Sequence, residues 1–293
     1  MRIIINNSVK PLCMAGVCAL LVACGSAPTA PTSSTLPAKT AVAEAGVPPA
    51  EHRQARIGLA LGGGAARGFA HVGVIQVLQE AGLHPQVVTG TSAGSLVAAL
   101  YASGKTPQEM RRIAETMEEA EITDWMVPIL NRGALRGEAL ARYVNAQVNG
   151  KGIEHMKIPL GIVATDLRSG EAVTFRRGNT GSAVRASSAV PAVFQPVRIG
   201  EHEYVDGGLV SPVPVKQARD MGANFVIAVD ISSDPEGNPA GDTFQILMQT
   251  FAIMGKSINT WELREADVAV SYTHLRAHET LSDLVCRLLL EKR

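Results

Sequence analysis

The stretch RIGLALGGGAARGFAHVGVIQVLQEAG, residues 56–82, indicates the first elements of the fold. Its first six residues, 56–61, are mostly apolar and predict a buried strand. Residues 68–82 carry apolar side chains at helical spacing, and Gly82 is the kind of residue that ends a helix. Between the two, the successive glycines Gly62–Gly64 allow backbone N–H groups to turn inward and form a cradle for negative charge. The stretch therefore predicts a strand, an anion-binding loop and a helix, in that order.

The same alternation of apolar runs and helical patterns continues along the chain. Further strands are predicted at 85–90, 159–167, 171–177 and 225–231, and further helices at 95–102, 106–117 and 213–222. The start of the second of these helices has the spacing of a capping box, with Thr106, Pro107 and Glu109 in sequence. Such alternation favours an α/β fold with a mostly parallel central sheet covered by helices on both faces.

The N-terminal segment is expected to lie outside the folded domain. Residues 1–23 have basic residues ahead of a short apolar run, as a signal peptide does. Their end resembles the lipobox of bacterial lipoproteins, so Cys24 is expected to be lipidated. The next residue is Gly25 rather than an aspartate. By resemblance to Gram-negative lipoproteins, this favours attachment to the outer membrane, facing the periplasm, over retention at the inner membrane. Residues 24–55 are rich in Ala, Pro, Thr and Ser and are expected to form a disordered tether.

The C-terminal segment 270–293 also stands apart from the domain. It reads VSYTHLRAHETLSDLVCRLLLEKR and resembles translated sequencing adapter, so the folded domain is expected at 56–269 with its natural C-terminus cut short. Without the two end segments, Cys24 is the one cysteine left, which excludes a disulfide framework. The remaining charge has a small negative balance, which predicts no nucleic-acid partner.

The segment GTSAG, residues 90–94, has the pattern of a nucleophile elbow. A serine held on a sharp strand-to-helix turn needs small residues two places before and two places after it, and Gly90 and Gly94 flank Ser92 in this way. The helix that follows points its N-terminal amides toward the same place. Alone, the pattern also fits an ordinary hydroxyl in a loop of small residues, because such loops arise by chance.

The glycine loop helps to decide between these interpretations. A phosphate-binding P-loop would need Gly-Lys-Ser/Thr at its end, whereas Gly68 is followed by Phe69 and Ala70. A dinucleotide-binding loop would need glycine where Arg67 stands. An oxyanion hole, in which backbone amides stabilise a developing negative charge, fits the loop best.

Asp206 is the best candidate for the acid or base that serves the serine. It follows a predicted strand, and Gly207 and Gly208 after it predict a tight, exposed turn. A Ser-Asp-His triad needs a histidine after the acid, but the two that follow, His274 and His278, lie in the adapter-like segment. The native part of the chain therefore offers no third member for such a triad.

With these motifs in place, the chain resembles bacterial patatin-like phospholipases. The family motifs Gly-Gly-Gly-x-x-Arg-Gly, Gly-x-Ser-x-Gly and Asp-Gly-Gly match residues 62–68, 90–94 and 206–208, and the stretch RASSAVPAVFQPV at 185–197 also fits. The resemblance spans 56–269 and implies a three-layer α/β/α hydrolase domain that needs no metal or cofactor. The motif residues implied to support the site are Gly62, Arg67, Gly68, Gly90, Gly94, Gly207 and Gly208.

The resemblance also implies a mechanism. Ser92 attacks the ester carbonyl of a membrane lipid, a phospholipid or lysophospholipid, after Asp206 accepts its proton. The amides of Gly63, Gly64 and Ala65 hold the oxyanion, and water then releases the fatty acid. Because a carboxylate with a pKa of roughly 4 is a poor base, the pKa of Asp206 is expected to be raised. The alternatives are an esterase or thioesterase acting on small acyl donors and a non-catalytic, membrane-tethered scaffold.

Two further expectations concern residues outside the dyad. His71 is expected to pack or to support the glycine loop rather than to take part in catalysis. The apolar residues of a long helical segment are expected to belong to the core rather than to a lipid groove; they are Leu247, Met248, Phe251, Ile253 and Met254.

Overall fold

The computed structural model describes residues 2–5, 55–117, 124, 133–236, 238 and 241–272. Its strands are β1 (Arg2–Ile5), β2 (Ile57–Leu61), β3 (Val87–Thr91), β4 (Gly133–Leu135), β5 (Leu160–Asp166), β6 (Ala172–Phe175), β7 (Ala192–Phe194), β8 (Val197–Ile199), β9 (His202–Asp206), β10 (Phe225–Asp230) and β11 (Val268–Ser271). Its helices are α1 (Ala70–Glu80), α2 (Ala93–Ala102), α3 (Pro107–Thr116), α4 (Glu138–Gln147), α5 (Thr180–Ser187), α6 (Val215–Asp220) and α7 (Thr243–Glu262). Residues 24–54 of the predicted tether, including Cys24, and residues 273–293 of the adapter-like segment lie outside the described residues.

The main sheet has nine strands and is mostly parallel, as predicted. Its strand order is β1-β11-β10-β2-β3-β5-β9-β8, with β6 also paired to β5. The five central strands from β11 to β5 are parallel, and antiparallel strands join at both sides. Every residue of β3 and β5 is buried, as expected of parallel strands covered on both faces. The two threonines of β3 satisfy their buried hydroxyls by donating to the carbonyl oxygens of Pro214 and Ser211. Strands β4 and β7 form a separate two-stranded sheet.

Alternate residues of the central strands pack on opposite faces of the sheet. In β2, Leu59 and Leu61 join a large core with side chains of α1, α2 and α4, whereas Ala60 joins a second core with α6. In β10, Ile227 faces the first core and Val226 the second. The sheet is therefore covered on both faces, which confirms the three-layer α/β/α architecture.

The capping box predicted at Thr106 is present at the start of α3. The Thr106 hydroxyl accepts the N–H of Glu109 at 3.2 Å, and the Glu109 carboxylate accepts the N–H of Thr106 at 2.7 Å.

The end of α1 is two residues earlier than predicted, at Glu80, and Gly82 follows with a φ of 72°. The short strands β4, β7 and β8 were not predicted, because three residues carry too little pattern.

The long helix α7 corrects one prediction about the core. Ile253 and Met254 were expected to be buried, but they are 52% and 47% exposed, and Phe244 and Ile246 are exposed as well. Of the α7 residues, Asn259 is buried, close to the C-terminal end of the helix. The apolar spacing of α7 was therefore misread as a core-facing pattern. Among the described helices, none is both long enough and apolar enough to cross a bilayer.

At one edge of the main sheet, strands β1 and β11 include residues of the two end segments. Strand β1, which lies in the predicted signal peptide, pairs antiparallel with β11. Processing before Cys24 would remove β1 and leave β11 at the edge of the sheet. Strand β11 stays in register with β10 as far as Ser271, two residues beyond the expected end of the domain at Ala269.

Candidate active site

Ser92 lies on a strained turn between β3 and α2. Its φ of 53° and ψ of −125° place it in a region that residues with side chains rarely occupy. A Cβ added to Gly94 would lie 2.2 Å from the carbonyl oxygen of Leu61, and one added to Gly90 would lie 2.5 Å from the carbonyl oxygen of Gly94. The turn therefore needs glycine on both sides of Ser92, as expected of a nucleophile elbow.

We expect Gly94→Ala to destabilise the fold, because the new methyl group collides with backbone on the neighbouring loop. Overpacking of this kind costs about 3 kcal/mol. Urea denaturation of both proteins measures the loss. Gly255→Ala, in α7, is the matched control, since no atom lies within 4 Å of the added Cβ and the change should be neutral or slightly stabilising. Equal free energies of unfolding for the Gly94 variant and the parent would contradict the prediction.

Ser187 holds the elbow in place through two hydrogen bonds. The N–H of Ser92 donates to Ser187 Oγ at 2.8 Å, and the Ser187 hydroxyl donates to the carbonyl oxygen of Val163 at 2.5 Å. The Ser187 side chain, at the end of α5, thus links the elbow to β5. Nothing in the sequence pattern singled out this residue, although it lies in the stretch 185–197 that fits the family.

Asp206 ends β9 and is held at both its backbone and its side chain. Its N–H donates to the carbonyl oxygen of Ala189 at 3.0 Å, and its carbonyl oxygen accepts the Thr165 hydroxyl at 2.7 Å. Its carboxylate accepts the N–H of Gly208 at 2.6 Å, and the Ser92 hydroxyl lies close enough to lower the pKa of this carboxyl. The structure thus places Asp206 and Ser92 next to each other.

Burial sets the proton affinity of Asp206. It raises the pKa of this carboxyl to about 6, although the hydrogen bonds from Gly208 and Ser92 act in the opposite direction. The charged form loses hydration in this position, which makes the carboxylate a better proton acceptor. This is the direction that the implied mechanism requires.

The turn after Asp206 is less exposed than predicted. Gly207 is buried, and a Cβ added to it would lie 2.3 Å from the carbonyl oxygen of Val163. The expectation of an exposed turn is therefore wrong for Gly207, because β5 packs directly against it. Gly208 is partly exposed and supplies the N–H that binds Asp206.

The glycine loop lies beside the elbow, but one of its predicted donors is occupied. A Cβ added to Gly63 would lie 3.2 Å from the Cβ of Ser92. The N–H of Gly63, however, donates to the carbonyl oxygen of Pro212 at 3.0 Å, and that of Gly62 donates to the carbonyl oxygen of Val229 at 2.9 Å. This corrects the expectation that the Gly63 amide holds the oxyanion.

Two of the three predicted donors remain available. The N–H groups of Gly64 and Ala65 have no acceptor among the hydrogen bonds of the described residues. Ala93, directly after Ser92, adds a donor that was not predicted, because the first N–H of a helix has no partner within the helix. The signal for it was its position, since the residue after a nucleophile serine commonly contributes its N–H.

Arg67 and His71 contact the glycine loop, and Gly64 and Gly68 allow it to pack closely against its neighbours. Arg67 Nε donates to the carbonyl oxygen of Gly64 at 3.3 Å, a contact that fits a residue expected to support the site. Burial lowers the pKa of His71 to about 4, so the imidazole is neutral and its Nε2 lies 2.8 Å from the carbonyl oxygen of Gly62. Gly68 and Gly64 allow close packing, since added Cβ atoms would lie 2.8 Å from the Cβ of Ala93 and 2.4 Å from the carbonyl oxygen of Ile231.

An apolar cavity of about 400 Å³ opens beside Ser92. Its lining includes Phe69, Leu96, Val97, Leu140 and Phe194. Such a lining suits a hydrocarbon chain and offers few groups to a polar ligand. Among the residues that the structure describes, no three His, Cys, Asp or Glu side chains are grouped as ligands of a metal ion.

Two solved structures of other proteins align with part of this chain. VipD from Legionella pneumophila aligns with a TM-score of 0.46 and 16% identity over 66% of this chain and 52% of VipD. The type III effector protein ExoU aligns with a TM-score of 0.42 and 16% identity over 72% of this chain and 53% of ExoU.

Relatives by sequence lie in bacteria and in animals. An uncharacterized NTE family protein of Mycobacterium tuberculosis is 37% identical over 188 residues, which are 64% of this chain and 52% of that protein. The human patatin-like phospholipase domain-containing protein 6 is 32% identical over 213 residues, 70% of this chain and 15% of that protein. The chain thus spans about half the length of the mycobacterial relative. The patatin-like phospholipase family model matches residues 59–219, which is more than half of the chain. The chain therefore belongs to the patatin-like phospholipase family.

Proposed function

We propose that this protein is a serine acyl hydrolase that cleaves ester bonds of phospholipids or lysophospholipids with a Ser92–Asp206 dyad. The observation that carries the proposal is the position of the Ser92 hydroxyl, on a strained elbow, beside a buried carboxyl with a pKa of about 6. An activated nucleophile needs a base in hydrogen-bond contact with a pKa close to the working pH. Asp206 lies beside the serine and has such a pKa.

In the proposed reaction, Ser92 Oγ attacks the carbonyl carbon while Asp206 takes its proton. The electron pair of the carbonyl moves to oxygen, and the N–H groups of Gly64, Ala65 and Ala93 donate to that oxyanion. Collapse of the tetrahedral intermediate expels the alcohol, which receives the proton from Asp206. Water then attacks the acyl-serine, with Asp206 again as the base, and the fatty acid is released.

The cavity beside Ser92 supports a long acyl chain as substrate. Each methylene moved from water into such surroundings contributes about 0.8 kcal/mol, so an apolar cavity of this size favours long chains over short ones. Attachment to the outer membrane through Cys24, facing the periplasm, belongs to the same proposal. Several acyl chains on that cysteine would give stable anchoring, whereas one chain binds only marginally.

Fatty-acid release from vesicles of long-chain phospholipid, measured between pH 4 and pH 9, tests the proposal. Asp206 must be ionised to accept a proton, so we expect kcat/KM to rise with pH up to about 6 and to stay level above it. Below that pH, the rate should fall about tenfold per unit, because the fraction of ionised carboxylate falls by this factor.

Lysophospholipid and a short-chain ester assayed in parallel separate the candidate activities. Hydrolysis of the short ester alone would replace the proposed activity by that of a small-ester esterase. No hydrolysis of any ester by the folded protein would support the non-catalytic scaffold. A rate that falls as pH rises through 6 would contradict the role of Asp206 as base.

A further inference from the structure

One short loop touches all three parts of the proposed catalytic site. The loop, Ser211–Val213, is called the connecting loop below. The N–H of Ser211 donates to the carbonyl oxygen of Gly207, in the turn after Asp206, at 2.8 Å. The carbonyl oxygen of Ser211 accepts the hydroxyl of Thr91, the neighbour of Ser92, at 2.8 Å. The carbonyl oxygen of Pro212 accepts the N–H of Gly63, in the glycine loop, at 3.0 Å.

The connecting loop is itself held by a carboxyl from a distant helix. Glu262 is the last residue of α7, and its Oε2 accepts the N–H of Val213 at 2.8 Å. Its Oε1 accepts the hydroxyl of Ser211. Ser211 and Val213 are almost fully buried, so water cannot easily replace either contact. Glu262 also lies beyond residues 59–219, the part of the chain that the family model matches.

Placing a carboxyl here is unfavourable unless its oxygens are hydrogen-bonded. Burial raises the pKa of Glu262 to about 7, while the hydrogen bonds from Ser211 and Val213 oppose the shift, and Glu265 and Asp230 add to it. Among the described hydrogen bonds, both groups that donate to the Glu262 carboxyl belong to the connecting loop. The cost of burying the Glu262 carboxyl is therefore offset by hydrogen bonds that hold the connecting loop.

We propose that Glu262 is a positioning residue for the catalytic site. It holds the connecting loop where the Asp206 turn, the end of β3 and the glycine loop all meet, and it touches neither substrate nor reacting atoms. This inference rests on the proposed hydrolase function. Its effect should be on the chemical step, because a small displacement of catalytic groups can reduce the rate about 100-fold without altering substrate binding.

Two substitutions distinguish positioning from charge. Glu262→Ala removes both acceptors, so we expect kcat on a soluble p-nitrophenyl ester to fall about 10- to 100-fold with KM nearly unchanged. Glu262→Gln should keep kcat close to that of the parent. Its amide oxygen can accept the N–H of Val213, and its NH₂ group can donate to Ser211 Oγ. The Ser211 hydroxyl can then donate to Gln217 Oε1, which lies 3.1 Å away.

Glu265→Ala is the matched control, because this exposed carboxylate follows Glu262 within one turn and should leave kcat unchanged. Ser211→Ala keeps the backbone contacts of the connecting loop and should lower kcat less than Glu262→Ala, which preserves the test if that variant does not fold. Thermal midpoints and the rate of fluorophosphonate labelling accompany each assay.

Parent-like kcat in folded Glu262→Ala and Ser211→Ala proteins would overturn the inference. So would a Glu262→Gln variant as slow as Glu262→Ala at an equal thermal midpoint, since hydrogen bonding would then not be the cause. A parent protein that neither hydrolyses esters nor reacts with the probe would instead refute the proposed function itself.

Discussion

Ser92→Ala is expected to abolish ester hydrolysis, lowering kcat by about 10⁴-fold or more, because no other group replaces a missing nucleophile. A fluorophosphonate probe should label the parent protein and leave the variant unlabelled. The change removes one oxygen from a turn whose backbone is already strained in the parent, with a φ of 53°. Far-UV circular dichroism and the thermal midpoint should therefore stay close to those of the parent.

Ser257→Ala is a suitable control for the labelling experiment. Ser257 is exposed on α7, and its hydroxyl donates to the carbonyl oxygen of Ile253 at 3.3 Å, so it should not react with the probe. Labelling that persists in Ser92→Ala would point to another nucleophile. A folded parent protein that takes up no label would favour the scaffold interpretation.

The second large effect is expected for Asp206→Asn, which should lower kcat about 10³-fold because an amide cannot accept the serine proton. Asn keeps an oxygen that can accept the N–H of Gly208, so the turn should persist. The stability of the Asp206→Asn variant should not fall with its kcat. A carboxyl whose folded pKa is raised to about 6 destabilises the fold as pH rises through that value, and Asn removes this penalty. At pH 8 the variant should be at least as stable as the parent.

Asp166→Asn gives a contrasting control in the same sheet. The N–H of Ser169 and the contact with His202 hold the pKa of Asp166 at about 2. A lowered pKa means that the ionised form stabilises the fold above the unfolded pKa, so Asn should reduce stability at pH 8 and leave kcat little changed. Urea midpoints and kcat for both variants complete the comparison. An Asp206→Asn protein that keeps most of its hydrolysis would contradict the proposed dyad.

Local patterns were enough to predict the central strands and the elbow. The apolar runs at β2, β3, β5 and β10 each match a strand of the sheet, because strands buried on both faces favour apolar residues. In β3 this signal is limited to Val87 and Val88. Gly90 and Gly94 were predicted from the spacing of the motif. The steric demand on Gly90 is local, since it comes from Gly94 and Ser95, whereas the demand on Gly94 comes from the distant Leu61 and Gly62.

Contacts between distant residues could not be predicted in the same way. The hydroxyl of Ser187 reaches the N–H of Ser92 across 95 positions, and the carboxyl of Glu262 reaches Val213 across 49. The carbonyl oxygen of Pro212 occupies the Gly63 amide, which the motif alone had assigned to the oxyanion. Each of these contacts depends on how the sheet and its loops assemble, and no periodicity in the sequence records it.

The strand order also has a consequence for synthesis. Strand β2 comes early in the chain, yet it lies between β3 and the much later β10. The carbonyl oxygens that hold the glycine loop belong to Pro212 and Val229, which are synthesised much later than the loop. A nascent chain that already contains Ser92 and Asp206 still lacks the strand that orders its oxyanion donors. The arrangement of the glycine loop beside Ser92 therefore depends on a strand near the C-terminal end of the domain, far along the chain from the loop itself.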